Sequence, residues 1–307
     1  MAANNNASAL HPWFRLFRLP NLLTVPGDPL AGFLFALGGS GPGGPMLIPM
    51  FAAMAASVCL YMFGLALNDI ADIKTDRLER PDRPLPSGQI TVPQAMMAAL
   101  AAALSGLNIA LIAGPPALYT AGALAVVILA YNIGLKRVPV LGICAMGLCR
   151  ALSFVLGLAA ACPEGTDDPA LAIATIGILA YTVSFSAIAK NEMAAEKPMG
   201  VARWIPFAVL LVFLSSVLMR RPPAEGVMPA VAVFLMCMAM MQAWMLGGMM
   251  YRLQPVSATV AGHIRNVLQV QAFLCVAGVR SAGLLPAFFL MALWLLFPRL
   301  AKRFYSS

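Results

Sequence analysis

The sequence predicts an all-α, polytopic membrane protein, and three observations support that prediction. The 307-residue chain is 61% hydrophobic and only 10% charged, whereas soluble domains usually contain about 25% charged residues. Its mean hydropathy is +0.85. Apolar runs of about 20 residues, the length that crosses a hydrocarbon core of roughly 30 Å, recur along the whole chain. Spanning strands would be shorter and would alternate apolar with polar residues, a pattern that the sequence does not show.

We expect nine or ten membrane-spanning helices, the last of them at the C-terminus. The predicted spans are 22–40, 46–68, 92–113, 115–134, 139–161, 169–188, 203–219, 228–250, 265–280 and 282–298. The span 265–280 is the weakest, because Gln269 and Gln271 interrupt a short apolar stretch, so the count is nine or ten. Both glutamines are expected to face other helices. Residues 1–21 are interpreted as a cytoplasmic tail with an interfacial segment, and 22–307 as one transmembrane domain.

Lysine and arginine lie mainly in alternate connections between the predicted spans. The connections "GGSGPGG", "GPP" and "CPEGTDDP" contain neither residue. Because bases are retained on the cytoplasmic side of membrane proteins, the N-terminus and the charged loops are predicted to be cytoplasmic, in a bacterial inner membrane. Arg220 and Arg221 are exceptions. The net charge of +8 is therefore attributed to topology and to contact with anionic membrane lipids, and no nucleic-acid partner is expected.

The segment "HPWFRLFRLPN" is amphipathic, and we expect Trp13, Phe14, Leu16 and Phe17 to lie against lipid. No secretory signal pattern is found in this part of the sequence. The six cysteines form no CxxC pair, which argues against a disulfide framework or a zinc site. With only two histidines, the chain has little material for a histidine-based metal site or catalytic triad.

The stretch "NDIADIKTDRLERPDRPLPSG", residues 68–88, follows the second predicted span directly. If the helix continues, Asn68, Asp72 and Asp76 fall at positions i, i+4 and i+8, with Asp69 beside them, so that all four share one face. Carboxylates that lie so close repel one another, and a divalent cation relieves the repulsion. Hard oxygen ligands suit Mg²⁺, which usually binds one or two carboxylates together with substrate phosphates.

Four bases are interspersed with these acids or follow them. Lys74, Arg77, Arg80 and Arg83 could together neutralise a phosphate. The stretch therefore predicts a site for a metal bound to a diphosphate. The alternative is an ordinary positive cytoplasmic loop whose acids serve solubility.

The combination of "NDIADIKTD" and "RPDRPLPSG" resembles the first signature of the UbiA-type membrane prenyltransferases, NDxxDxxxD followed by an RPxRPxPxG-like loop. The segment "FRLPNLLTVPGDPLAGF" at 17–33 resembles that family's first-helix entry. The resemblance implies nine transmembrane helices around a central cavity and two acidic motifs. These motifs would bind Mg²⁺, as two ions, together with a polyprenyl diphosphate. It also implies transfer of the prenyl group to a lipophilic, usually aromatic, acceptor.

The family's second motif, DxxxD, is replaced by "AKNEMAAEKPMG" at 189–200. Counting back from Gly200 places Glu192 and Glu196 at the two acidic positions, which suggests a divergent branch. Each glutamate reaches one methylene further than aspartate, while Mg²⁺ demands a tight octahedron. A solvated pair matched by Lys190 and Lys197 is the alternative. The metal ligands implied by the resemblance are Asn68, Asp69, Asp72, Asp76, Glu192 and Glu196.

Further roles follow from the resemblance and, for Arg150, from the position of a charge within the sequence. Asp72 and Asp76 are assigned to catalysis, together with Arg150, which lies inside an apolar span where a charge should face a cavity or a partner. For Arg150 we favour contact with the acceptor or the diphosphate over structural pairing. "YNIGLKR" at 131–137 resembles the family's tyrosine and basic positions near the diphosphate, although topology alone would also explain its bases. The predicted diphosphate contacts are Asn68, Lys74, Arg77, Arg83, Tyr131, Lys136, Arg137 and Lys190.

The predicted reaction begins when metal and bases stabilise the leaving diphosphate, after which a nucleophilic carbon of the acceptor captures the allylic cation. Two other classes stay open. A prenyl diphosphate cyclase or hydrolase would use the same acids without an acceptor, and a small transporter would have the same hydropathy. The sequence specifies neither the acceptor, nor the prenyl chain length, nor the oligomeric state.

Overall fold

The computed structural model describes residues 12–38, 46–189, 200–222, 226–250 and 255–305. Every regular element within these ranges is helical, which confirms the all-α prediction. The helices are α1 (Pro12–Leu16), α2 (Leu19–Leu22), α3 (Gly27–Ala36), α4 (Leu47–Ala71), α5 (Ile73–Glu79), α6 (Val92–Ile112), α7 (Pro115–Ile133), α8 (Pro139–Ala161), α9 (Pro169–Ala189), α10 (Ile205–Arg220), α11 (Met228–Met245), α12 (Val256–Val279) and α13 (Leu284–Tyr305).

The chain is an integral membrane protein. Among the described residues, eight helical segments are long and apolar enough to cross a bilayer, and each overlaps a predicted span, including the C-terminal one. The first and ninth predicted spans correspond to α3 and α12, which fall outside this set. Helix α3 has only 10 residues. Helix α12 is long enough at 24 residues but less apolar, and it begins at Val256, nine residues before the predicted start.

Helices α3 and α8 approach each other through glycine. A Cβ atom on Gly157 of α8 would lie 1.9 Å from the backbone oxygen of Pro29, and a Cβ atom on Gly32 of α3 would lie 2.0 Å from the backbone oxygen of Phe154. Small residues at helix interfaces let backbones pack closely inside membranes. The two glycines therefore set the distance between α3 and α8.

Helix α12 lies inside the bundle, where it contacts α3, α9, α11 and α13. Its polar side chains Thr259, His263, Asn266, Gln269 and Gln271 are all at most 1% exposed. The prediction that Gln269 and Gln271 face other helices is therefore confirmed. Polar groups buried in a membrane protein need partners, because lipid offers none.

The acidic stretch after α4 is almost, but not fully, one helix. Helix α4 ends at Ala71, and Asp72 (φ −95°, ψ 2°) separates it from α5. The helical hydrogen bonds continue across the break, because the Asp72 N–H donates to the Asn68 carbonyl at 3.0 Å and the Asp76 N–H donates to the Asp72 carbonyl at 2.8 Å. The predicted uninterrupted helix is thus wrong by one residue. We call the end of the bundle that contains Asp72 the charged end.

The N-terminal segment packs onto the connection that follows α5. Leu16 is fully buried and clusters with Leu85, Ile90 and Ala95. The Arg15 guanidinium strengthens this contact by donating to the backbone oxygen of Asp82 at 2.8 Å. The expectation that Leu16 faces lipid is therefore wrong, whereas Phe14 is 50% exposed.

Candidate active site

A cavity of about 350 Å³ opens between the α2–α3 segment and helices α4, α7, α8, α9 and α12. Apolar side chains form much of its wall, among them Leu65, Leu124, Ile128, Met146 and Ile264. Asn21, Asn68 and Tyr131 add polar groups towards the charged end. A largely apolar cavity with a few converging polar groups is the usual form of a small-molecule site.

Asn68 and Asp72 together hold a positive charge at the mouth of this cavity. The Lys136 Nζ donates to Asp72 Oδ1 at 2.5 Å and to Asn68 Oδ1 at 3.3 Å. The Lys136 side chain is 14% exposed, and the Asp72 side chain is 35% exposed. The side-chain oxygens of Asn68 and Asp72, which lie on adjacent helical turns, thus converge on the Lys136 ammonium group.

The other two acids of the motif are buried and paired with arginines. Arg18 Nη2 donates to Asp69 Oδ1 at 3.2 Å, and Arg83 Nη1 donates to Asp76 Oδ2 at 2.7 Å. The same Arg83 nitrogen lies 3.8 Å from Asp69. Because an unpaired buried charge is costly, these pairs hold the acids in place. Arg18 also lines the cavity, and its left-handed backbone (φ 45°) is unusual for a residue other than glycine.

The structure brings only some of the predicted diphosphate contacts to the cavity. Asn68 and Tyr131 line it, and Lys136 and Arg83 lie next to the acids. Three others are exposed and do not line the cavity, so their contact with a diphosphate stays a prediction; they are Lys74, Arg77 and Arg137. Arg80 is also exposed.

The second acidic motif lies outside the described residues, as do its candidate ligands Glu192 and Glu196 and the candidate diphosphate contact Lys190. In the described part of the chain, no three acidic, histidine or cysteine side chains come close enough to hold a metal ion by themselves. The described oxygens suit an ion that takes the rest of its ligands from elsewhere. Mg²⁺ is such an ion, because it keeps several water ligands and takes further oxygen ligands from substrate phosphates.

Arg150 lies on the cavity wall, as predicted for a charge within a span, but it is also paired. Its Nη1 donates to Asp28 Oδ1 and Oδ2 at 3.0 and 2.8 Å, and its Nη2 donates to the Thr24 hydroxyl at 2.9 Å. Gln271 Nε2 donates to Asp28 at 2.7 Å. The Arg150 side chain stays 15% exposed, so it combines the pairing and the cavity position that were weighed as alternatives.

Several cavity residues were not singled out from the sequence. Asp28 had a usable signal, because it is an acid within an apolar span, where charges usually face a partner or a cavity. Arg18 belonged to the segment that resembles a family entry helix but was interpreted only through topology. Ser57, Ser153 and Asn132 had no signal, since such residues are common in membrane helices.

Comparison with known proteins agrees with the family resemblance of the sequence motifs. Residues 29–261 match the model of the UbiA prenyltransferase family. A digeranylgeranylglyceryl phosphate synthase of Methanoculleus marisnigri is 32% identical over 197 residues, which cover 64% of this chain and 68% of that protein. Naringenin 8-dimethylallyltransferase 2 of Sophora flavescens is 30% identical over 112 residues, or 34% of this chain and 26% of that protein. For two further synthases, from Methanococcoides burtonii and Ignicoccus hospitalis, the match spans only 34% and 54% of their length.

Two solved structures share the fold. A UbiA homolog from Aeropyrum pernix K1 aligns with a TM-score of 0.61 and 17% identity, covering 83% of this chain and 97% of that one. A UbiA homolog from Archaeoglobus fulgidus, bound to GPP and Mg²⁺, aligns with a TM-score of 0.57 and 16% identity, covering 85% and 99%. At these identities the likeness shows the fold alone.

Proposed function

This chain belongs to the UbiA prenyltransferase family, and from that premise we propose that it transfers an isoprenoid group from its diphosphate to a lipophilic acceptor, in a Mg²⁺-dependent reaction. The resemblance makes an aromatic acceptor the expected one. The observation that carries the proposal is the position of Asn68 and Asp72, whose oxygens hold the Lys136 ammonium at the mouth of an apolar cavity. An Archaeoglobus fulgidus protein of the same fold has been solved with GPP and Mg²⁺ bound.

The donor set fits Mg²⁺. Asn68 and Asp72 already direct hard oxygens at a cation, and Asp69 and Asp76 follow on the same side of the α4–α5 segment. These four residues would supply ligands to one ion, together with water and phosphate oxygens of the substrate, and Glu192 with Glu196 would hold a second ion. When bound, the metal neutralises charge on the leaving diphosphate.

The bases at the mouth of the cavity would neutralise the rest of the negative charge on the leaving diphosphate. Within the described residues, Lys136 and Arg18 are each held by a single carboxylate, Asp72 and Asp69, at the edge of the cavity. A diphosphate entering this mouth would offer them phosphate oxygens as new partners. Charge-assisted hydrogen bonds of this kind stabilise the negative charge that grows on the leaving group as the allylic C–O bond breaks.

In this proposal the apolar wall of the cavity binds the isoprenoid tail and shields the reaction from water. Leu65, Ile128 and Met146 would pack on the isoprenoid tail and exclude water from the allylic cation, which would otherwise be quenched to an alcohol. The charged end would face the cytoplasm of a bacterial inner membrane, because the bases cluster there. A cysteine introduced at Lys74 should then be modified by impermeant maleimide only in inverted membranes.

The experiment measures transfer from labelled farnesyl or geranylgeranyl diphosphate by the purified protein, with and without Mg²⁺. We expect Asp72→Asn to lower the rate about 10²–10³-fold, as expected when a group that stabilises developing charge is removed. Asp167→Asn, the same change in an exposed acid outside the site, is the matched control. Glu192→Gln tests the second motif.

Two outcomes would decide against this proposal. Undiminished Mg²⁺-dependent transfer by both Asp72→Asn and Glu192→Gln would remove the metal roles. Incubation without an acceptor separates the other enzyme classes, since cyclic or hydrolysed products formed at full rate would identify a cyclase or a hydrolase.

A further inference from the structure

The end of the cavity away from Lys136 is polar. Five residues line it, and we call them the polar floor: Thr24, Asp28, Ser57, Arg150 and Ser153. Ser57 lies about 16 Å along α4 from Asn68, at 1.5 Å per residue. The Asp28, Ser57 and Ser153 residues are 3%, 2% and 5% exposed. An isoprenoid tail gains nothing from such a surface, so the floor suits a polar ligand.

The ion pair in the floor is rigid and electrically neutral. Asp28 belongs to α3, Arg150 to α8, and Gln271 of α12 fixes the carboxylate from a third side. A guanidinium has five N–H donors in a fixed fork. Among the described residues only Nη1 and Nη2 have partners, so Arg150 keeps donors for a ligand while Asp28 balances its charge. A neutral ligand would leave that balance intact, whereas an anion would bring an uncompensated charge into the membrane interior.

Two hydroxyl groups extend the floor. Ser153 lies one helical turn after Arg150 on the same face of α8, and its Oγ is 2.6 Å from the Oγ of Ser57. One hydroxyl donates to the other, and the second keeps its own hydrogen. The pair can therefore both donate to a ligand and accept from it.

Asn132, nearer the mouth, requires a hydrogen-bond donor. The residue lines the cavity, is 7% exposed, and its Nδ2 donates to the Ile128 carbonyl at 3.0 Å. Its Oδ1 is buried and has no hydrogen-bond partner within the described part of the chain. Leaving a buried acceptor unsatisfied costs about 1–3 kcal/mol. A hydroxyl group can donate to this oxygen, while a carboxylate or a fully ionised phosphate cannot.

We propose that the polar floor and Asn132 bind the head group of the acceptor, and that this head group is uncharged and bears two hydroxyl groups, as in a phenol that also carries an alcohol group. This inference rests on the proposed function. One hydroxyl contacts Arg150 and the serines, and another donates to Asn132, next to the mouth where the diphosphate leaves. A carboxylate or phosphate group fits neither the neutral floor nor the orphaned oxygen.

The first test compares two acceptors that differ in one group. Purified protein receives geranylgeranyl diphosphate, Mg²⁺ and either 4-hydroxybenzyl alcohol or 4-hydroxybenzoate, which replaces the CH₂OH group by a carboxylate. We expect kcat/KM for the alcohol to exceed that for the acid by at least about tenfold, the effect of one hydrogen bond to a charged group. Equal use of both acceptors, preference for the acid, or use of neither would overturn the inference.

The second test separates acceptor binding from stability. Arg150→Lys keeps the charge beside Asp28 but loses the fork, and Ser153→Ala removes one hydroxyl. Each should raise KM for the acceptor about tenfold with KM for the donor unchanged. Ser184→Ala removes a buried hydroxyl of α9 that does not line the cavity and should leave both constants unchanged. If Arg150→Lys does not fold, Ser153→Ala still decides.

Mg²⁺-dependent binding of geranylgeranyl diphosphate, measured by calorimetry without an acceptor, distinguishes failure of the proposed function from failure of the polar floor as an acceptor site. Absence of donor binding would refute the proposed function. Normal donor binding together with an unchanged acceptor KM in both variants would refute the polar floor alone.

Discussion

Replacing Gly157 by alanine should destabilise the protein and weaken the acceptor site together. The new Cβ atom would lie 1.9 Å from the Pro29 carbonyl oxygen, and that oxygen belongs to backbone that cannot turn aside. Overpacking of this kind costs about 1–3 kcal/mol. The helix propensity gained by replacing glycine offsets about 0.5–1 kcal/mol, so a net loss of up to about 2.5 kcal/mol is expected.

The functional part follows from the same geometry. Relieving the contact to a tolerable 3.0 Å would separate α3 from α8 by about 1.1 Å, which would stretch the 2.8 Å contact between Arg150 and Asp28 to nearly 4 Å, beyond hydrogen-bond length. The variant should therefore also raise KM for the acceptor. Donor binding, which depends on the charged end, should change little.

Gly122→Ala in α7 is the matched control. No described atom lies within 4 Å of the position that an added Cβ would take there, so alanine should stabilise the helix by about 0.5–1 kcal/mol. Unfolding midpoints in detergent, with acceptor kinetics on the same preparations, measure both effects. A Gly157→Ala protein as stable as the Gly122→Ala protein would refute the contact geometry.

Two further predictions concern charge. Lys136→Met should lower kcat/KM for the donor about 10–100-fold, because it removes a charge-assisted partner of about 1.5–3 kcal/mol. In the same assay Arg220→Met, which removes an exposed base that does not line the cavity, should change it less than twofold. Burial raises the pKa of Asp168, but hydrogen bonds from Arg221 and from the Ala170 N–H, with the nearby arginine charges, outweigh it and lower the pKa below its ordinary value. The resulting stabilisation is present above the unfolded pKa of about 4 and is lost as pH falls through the lower folded pKa. The difference in thermal midpoint between wild type and Asp168→Asn should therefore shrink as the pH falls below about 4, and a difference that grows there would contradict the assignment.

The apolar runs and the acidic spacing predicted more of the molecule than the individual bases did. Eight segments matched predicted spans, because a run of about 20 apolar residues in a bilayer can satisfy its backbone hydrogen bonds internally only as a helix. Lys74 and Arg77 stand close to Asp72 in the sequence, yet they are exposed and do not line the cavity, while Lys136 reaches Asp72 from beyond another helix. Spacing along one helix predicts a shared face, but it contains no information on which distant side chain completes the site.

Contacts between distant segments explain the remaining differences. Leu16 lies in an amphipathic stretch that would suit a lipid surface equally well, and only the position of Leu85 and Ile90 shows that protein covers it. Arg150 finds Asp28 at a separation of 122 residues. Either charge alone indicates a partner in the interior, but a single sequence does not show that these two charges contact each other.

Helix α12 has a consequence for how the protein is made. Its buried Thr259, His263 and Asn266 would disfavour entry into lipid as an isolated segment, since polar residues raise the cost of membrane insertion. Asn266 donates to the Tyr181 hydroxyl of α9 and to the Ala239 carbonyl of α11, both of which leave the ribosome earlier. The chain order is therefore also an order of assembly, in which the span least suited to enter a bilayer alone is synthesised after the helices that receive it.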